Sequence, residues 1–83
     1  MSTALAENAD KIKSIVCYIL ELEPDEVMLD SSFVHDHGVD SMGAIELLAA
    51  LEREFDVEIE PEQLARMTTL AGVQTVLAEV AGW

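Results

Sequence analysis

Apolar residues recur at three- and four-residue intervals in three stretches of the chain, a spacing that predicts amphipathic helices. The first predicted helix spans residues 4–20, the second spans 41–55, and the last runs from Thr68 or Thr69 to about Ala81. The core-facing positions are mostly aliphatic: Leu5, Ile12, Ile15, Val16, Ile19 and Leu20, then Met42, Ile45, Leu47, Leu48, Leu51 and Phe55, then Leu70, Val73, Val76, Leu77 and Val80.

Two prolines, Pro24 and Pro61, lie in the segments between these predicted helices. Pro24 stops simple continuation of the first helix, and residues 24–40 form a long predicted loop, pinned across the core by Val27, Leu29, Phe33 and Val34. Residues 56–60 are expected to be an extended connector, and Pro61 suits the first turn of a short helix over 61–66. The predicted fold class is therefore all-α, a four-helix bundle with a short third helix and a long loop between helices 1 and 2.

We expect one domain over residues 1–83, because a chain of this length builds only one small core. Gly82 is expected to end the last helix, and terminal Trp83 is expected to be frayed. Cys17 is the single cysteine, which excludes an internal disulfide and a cysteine-based zinc site. Its mid-helix position favours a small buried core residue over a reactive thiol.

The composition narrows the range of partners. The 83 residues include 17 acids and four Lys or Arg, for a formal net charge of −13. Nucleic acids and anionic membranes are excluded, because both bind clustered basic residues. No stretch is long and apolar enough to span a membrane, and residues 1–13 lack the pattern of a signal peptide. We therefore expect a cytoplasmic protein, without nucleic-acid or membrane partners, that works as a monomer.

The charge is concentrated in the middle of the chain. Residues 21–62 contain fourteen of the acids and one base, Arg53, whereas acids and bases outside this segment cancel. Such a segment is either a solvated surface or a docking face for basic partner proteins. An EF-hand does not fit, because no register around Asp36 places acids, glycine and glutamate at the required positions. A weak divalent-cation response remains open, through Glu46, Glu52, Asp56 and Glu58.

Ser41 is the first candidate for chemistry. Beside Asp40, it stands where a helix N-cap is expected. A serine hydrolase would need the pattern Gly-x-Ser-x-Gly, and position 39 is Val. His35 and His37, the two histidines, are expected on the surface of the long loop. No catalytic triad is apparent, so a serine hydrolase is not expected.

The stretch "FVHDHGVDSMGAIELLAALEREFDVEIE" resembles the acyl carrier proteins of bacterial fatty-acid and polyketide synthesis. That family has an acidic loop, then Gly-x-Asp-Ser-Leu/Met, a helix containing Glu-Leu and Leu-Glu-x-x-Phe, and an Ile beside an acid. Here these positions are Gly38, Asp40, Ser41, Met42, Glu46, Leu47, Leu51, Glu52, Phe55 and Ile59. The resemblance extends over the whole chain.

The resemblance implies that Ser41 carries a 4′-phosphopantetheine arm, transferred from coenzyme A by a phosphopantetheinyl transferase. Ketosynthase, acyltransferase and other synthase enzymes would then bind this carrier through basic docking surfaces. The residues that they would contact are Asp40, Met42, Glu46, Glu52, Asp56 and Glu58. The candidate lining of an acyl pocket between the helices comprises Phe33, Leu47, Leu51, Ile59 and Val73. The resemblance implies no metal, and it implies a non-catalytic carrier that is not itself an enzyme.

Departures from the fatty-acid carriers occur at His37, Gly43, Ala44 and Arg53. They favour a discrete carrier of polyketide or other secondary-metabolite synthesis. The segment Asp-Ser-Met-Gly also resembles D-alanyl carriers, so a carrier of another activated acid, D-alanyl or aminoacyl, is the alternative within this class. From a different class, an acidic helical module that responds to divalent cations stays open.

Overall fold

The computed structural model describes residues 3–83, which form four α-helices and two short 3-10 segments. The helices are α1 (Thr3–Leu20), α2 (Phe33–His37), α3 (Ser41–Phe55) and α4 (Leu70–Ala81), and the 3-10 segments are Pro24–Glu26 and Pro61–Arg66. No strand occurs in this part of the chain, so the predicted all-α class is confirmed. No helix there has the length and apolar character needed to cross a bilayer.

α1 runs antiparallel to α3. Lys11, in the first half of α1, pairs with Glu54 at the end of α3 at 2.8 Å, while Leu20 at the end of α1 lies beside Gly43 at the start of α3. α4 packs against α1 and closes the core. The buried side chains are almost all aliphatic: Ile12, Val16, Cys17, Val27, Phe33, Leu47, Leu48, Leu51, Ile59, Met67, Leu70, Val73, Val76 and Leu77.

The long loop between the first two predicted helices contains a helix that the sequence analysis missed. α2 is a single turn, capped by Ser32, whose hydroxyl accepts a hydrogen bond from the backbone N–H of His35 at 3.1 Å. The Ser32 N–H in turn donates to Asp36 Oδ2 at 2.7 Å. Gly38 ends the turn with φ +68°, a left-handed conformation that glycine adopts at low cost. The long loop predicted over residues 24–40 is therefore interrupted by a helical turn that the sequence analysis did not predict.

The apolar residues of that connection divide into two kinds. Val27 and Phe33 are buried, as predicted, and the Phe33 N–H donates to the carbonyl of Thr68 at 2.9 Å. Leu29 and Val34 are more than half exposed, so the prediction that they also pin the loop was wrong.

The C-terminal half follows the prediction more closely. The short third helix is the 3-10 segment Pro61–Arg66. The hydroxyl of Thr69 caps α4 by accepting from the Gly72 N–H, and Gly82 ends the helix with φ +74°. Trp83 is not frayed: its ring packs edge-on against Phe55 with centroids 5.4 Å apart. The expectation for Trp83 was therefore wrong, because an aromatic partner lies at the end of α3.

Candidate functional site

Ser41 is exposed at the first position of α3. The residue before it, Asp40, is the N-cap, and its carboxylate accepts a hydrogen bond from the backbone N–H of Gly43 at 2.9 Å. The left-handed Gly38 turns the chain from the end of α2 into this cap. As a result, the Ser41 hydroxyl stands at a helix start, where backbone N–H groups lack helical partners and the dipole is positive. Such a position favours an anion such as a phosphodiester.

No hydrogen bond within residues 3–83 joins the Ser41 hydroxyl to a histidine or carboxylate side chain. His35 is exposed in α2. His37 is half-buried, and its Nε2 is covered without a hydrogen-bond partner. The prediction that both histidines lie on the surface was wrong for His37, because the unpredicted turn of α2 directs its ring inward.

A cavity of about 180 Å³ opens beside Ser41. Its walls are largely apolar and come from α1, α2, α3 and the residues that lead into α4: Leu20, Phe33, Val34, Val39, Asp40, Ser41, Ala44, Leu47, Leu64, Met67 and Thr68. In other proteins, an apolar cavity of about 150 Å³ stays dry and binds a molecule the size of benzene. The site therefore joins an exposed hydroxyl to an adjacent apolar space.

The structure brings together only some of the predicted pocket residues. Phe33 and Leu47 line this cavity. Leu51, Ile59 and Val73 are buried in the core and do not line it. The sequence analysis missed the wall formed by Leu64, Met67 and Thr68. The apolar residues around the second proline were a usable signal, but spacing alone did not show that this segment folds against the start of α3.

The predicted docking residues divide into two groups along α3. Asp40, Met42 and Glu46 are exposed near Ser41, with Met42 at 69% exposure. Glu52 lies eleven residues further, or about 16 Å along the helix. Its Oε2 accepts a hydrogen bond from the Ile59 N–H at 2.9 Å, so this carboxylate anchors the connector after α3.

The remaining two docking candidates follow α3. Asp56 ends the helix with φ +53°, and Glu58 is exposed in the connector. Ile45, at 54% exposure, adds an apolar contact that the sequence analysis assigned to the core face. In the described part of the chain, no group of three or more His, Cys, Asp or Glu is placed to hold a metal ion. Glu46, Glu52, Asp56 and Glu58 are therefore not assembled as a ligand set.

Comparisons with known proteins agree with this geometry. Residues 10–82 match the family described as "Phosphopantetheine attachment site". The chain is 49% identical to the polyketide-8 synthase acyl carrier protein 1 of Streptomyces avermitilis over 82 residues, or 98% of each chain. It is 44% identical to the acyl carrier protein of a Sulfurovum species over 61 residues, covering 74% of this chain and 81% of that one.

A chain of the solved structure titled "The ishigamide ketosynthase/chain length factor" has the same fold, with a TM-score of 0.78 and 30% identity. The match covers 93% of this chain and 97% of that one. Fold and site thus define a small helical carrier, with an attachment serine expected at a helix start. The chain belongs to the acyl carrier protein family. It carries acyl groups as thioesters on a covalently bound 4′-phosphopantetheine arm.

Proposed function

We propose that Ser41 is the attachment residue and that the protein serves a polyketide synthase. The observation that carries the attachment is the exposed Ser41 hydroxyl at the start of α3, beside the mouth of the apolar cavity. The polyketide assignment is supported by the 49% identical relative, which is named as a polyketide synthase carrier. The departures at His37 and Arg53 from the fatty-acid carriers point in the same direction.

In the attachment reaction, the protein presents the Ser41 hydroxyl at the start of α3 and supplies no catalytic group. A separate phosphopantetheinyl transferase supplies the catalysis. The Ser41 oxygen attacks the phosphorus that bears the pantetheine, the P–O–P bond of coenzyme A breaks, adenosine 3′,5′-bisphosphate leaves, and the hydroxyl proton passes to a base of the transferase. The absence of a hydrogen-bonded base at Ser41 in residues 3–83 is compatible with this role. The start of α3 then stabilises the phosphodiester through its free N–H groups and positive dipole. The thiol of the bound arm holds the acyl chain as a thioester.

Partner enzymes dock on the exposed side of α3. Asp40, Met42 and Glu46 form the part of this face nearest the arm, and their exposure supports the assignment. Asp56 and Glu58 extend the negative charge beyond α3, while the engagement of Glu52 with Ile59 gives that residue a structural role as well. Basic surfaces of the transferase, ketosynthase and acyltransferase would complement these carboxylates.

The cavity shelters the part of the cargo nearest the arm. Its apolar walls, including the predicted residues Phe33 and Leu47, suit a hydrocarbon segment. Leu51, Ile59 and Val73 are buried in the core and do not line the cavity, so a longer chain would reach them only if the helices move apart. One core within a single chain supports a monomeric domain, and we expect it to act in the cytoplasm.

The test of attachment is an intact-mass measurement. The apo protein is incubated with coenzyme A and a transferase of broad specificity. Wild-type protein gains the mass of one phosphopantetheine group, Ser41→Ala gains none, and Ser14→Ala, which removes an exposed serine of α1, behaves as wild type. Failure of the wild-type protein to gain mass with several transferases would overturn the proposal.

A further inference from the structure

Within residues 3–83, one wall of the cavity is joined to α2 by a backbone hydrogen bond at one end only, from the Phe33 N–H to the Thr68 carbonyl at 2.9 Å. This outer wall consists of Leu64, Met67 and Thr68. In residues 61–66, the backbone hydrogen bonds outside regular helices are local ones, such as Gln63 N–H to Glu60 O at 2.9 Å. The 3-10 geometry of the segment is itself less favourable than an α-helix. Side chains and close packing must therefore set the position of the part of the outer wall formed by Leu64 and Met67.

One side-chain contact joins this segment to α4. The guanidinium of Arg66 donates from Nη1 to Glu79 Oε1 at 2.9 Å and from Nη2 to Glu79 Oε2 at 2.6 Å. Nη1 also donates to Gln63 Oε1 at 3.0 Å. The hydrogen bond from Arg66 is the main cause of a lowered pKa at Glu79, with the charge of Arg66 acting in the same direction. Paired, planar contacts of this kind fix orientation as well as distance.

The backbone of the same residue contacts α4 at a second point. A Cβ added to Gly72 would lie 2.0 Å from the carbonyl oxygen of Arg66, so only glycine permits this approach. Gly72 and Glu79 are seven residues apart, or about 10 Å along α4. Arg66 is thus held at two separate points of one helix, and the next residue, Met67, is part of the outer wall.

We propose that Arg66, Gly72 and Glu79 form a releasable clamp that positions the outer wall and controls how often the cavity opens to the cargo. The proposal rests on the proposed function, in which the cavity shelters an acyl chain on the Ser41 arm. Both side chains of the ion pair are about half exposed, at 46% and 52%. An exposed pair is weak and is screened by salt, so the clamp releases without unfolding the core. Arg66 and Glu79 are positioning residues in this account.

The first test uses the apo protein and needs no loading. Amide hydrogen exchange is measured by NMR at Gln63 and Met67, whose N–H groups are hydrogen-bonded within the segment. Glu79→Gln removes the carboxylate and is expected to raise exchange at both amides about two- to five-fold, the range typical of an exposed ion pair. The double variant Arg66→Glu, Glu79→Arg restores a pair of opposite charges and should bring exchange back towards the wild-type rate.

The matched control is Glu54→Gln. It breaks the Lys11–Glu54 pair, which has nearly the same exposure but joins α1 to α3. Exchange at Gln63 and Met67 should stay at the wild-type rate in this variant. An unchanged rate in Glu79→Gln, or an equal rise throughout the chain, would overturn the clamp. Because this measurement uses apo protein, its result is independent of whether Ser41 accepts the arm.

A second test uses the loaded protein. A phosphopantetheinyl transferase attaches octanoyl-4′-phosphopantetheine from octanoyl-coenzyme A. Cleavage of the thioester by hydroxylamine, which gives octanoyl hydroxamate and the free thiol, is followed by mass. A loosened wall leaves the chain in solvent for longer, so Glu79→Gln should be cleaved about two- to five-fold faster than wild type. Cleavage in Glu54→Gln should match wild type. Equal or slower cleavage in Glu79→Gln would contradict the clamp, whereas failure of the wild type to load would instead contradict the proposed function.

Discussion

The carboxylate of Asp40 accepts a hydrogen bond from the backbone N–H of Gly43 at 2.9 Å, which fixes the start of α3 around Ser41. The hydroxyl of Thr69 makes the same contact with the Gly72 N–H at the start of α4, at 3.0 Å. Asp40 and Thr69 are therefore helix caps of closely similar geometry, and of these two only Asp40 adjoins the proposed attachment site.

Removal of either cap should destabilise the fold by a similar amount. We expect Asp40→Ala and Thr69→Ala each to lower the free energy of unfolding by about 1 kcal/mol, because a helix N–H loses its acceptor. Only Asp40→Ala should also slow phosphopantetheine transfer, since it loosens the turn that carries Ser41. Urea unfolding and transfer kinetics check the two effects. Equal transfer rates in both variants would show that the Asp40 cap has no part in presenting Ser41.

Two helical glycines should respond in opposite ways to alanine. Gly72→Ala places a Cβ 2.0 Å from the backbone oxygen of Arg66 and should cost about 1–3 kcal/mol of stability. Gly43→Ala meets only side-chain atoms, at 3.2 Å from Val39 Cγ1 and 3.4 Å from Leu20 Cδ2. Its gain in helix propensity, about 1 kcal/mol, should offset those contacts. Thermal unfolding distinguishes the two, and a neutral Gly72→Ala would contradict the described packing.

Much of this fold was accessible from the sequence. The periodic apolar stripes located α1, α3 and α4, because each is long enough to repeat its pattern over several turns. α2 was missed because five residues contain too few positions for a period. Its signals were local ones, a serine cap at Ser32 and a left-handed glycine at Gly38.

The candidate site could be predicted in part from the sequence, through a family pattern and helix-cap chemistry and not through periodicity. The family pattern around Ser41 supplied the proposed attachment residue, and a helix cap at Asp40 or Ser41 was expected from helix-start chemistry. The cavity wall was not, because Leu64 and Met67 reach the start of α3 through a tertiary approach that depends on Gly72. Burial of Leu51 and Val73 was correctly predicted from their periodicity, yet periodicity does not separate a core position from a cavity position.

Cys17 should react slowly with thiol reagents. It is buried in α1, and burial is the main cause of its raised pKa, to which the charge of Glu23 adds while that of Lys13 acts in the opposite direction. A raised pKa leaves less of the reactive thiolate at any pH below it. We expect native protein to react with a colorimetric disulfide reagent at least about tenfold more slowly than urea-unfolded protein, because local opening must come first. Equal rates would contradict the burial of Cys17.

Cations should stabilise the protein. Seventeen acids oppose four Lys or Arg, and two of those four bases already form ion pairs within the described residues, with Glu54 and Glu79. Screening the remaining carboxylates relieves their repulsion. Magnesium chloride should raise the melting temperature, by about 4–8 °C for each 1 kcal/mol regained.

Potassium chloride at equal ionic strength is the reference for that measurement. A larger effect of magnesium would indicate binding by the carboxylates, and an equal effect would indicate screening alone. A melting temperature that is flat or falls with added magnesium would contradict the view that residues 21–62 are under charge repulsion.

The central claim is that Ser41, and no other residue, bears the arm on which the cargo is held. The most direct measurement is fragmentation mass spectrometry of protein loaded with octanoyl-4′-phosphopantetheine. The account predicts one modification, located on Ser41, from which hydroxylamine removes the octanoyl group and leaves the arm in place. A modification located on another serine, or an octanoyl group that resists hydroxylamine, would contradict it.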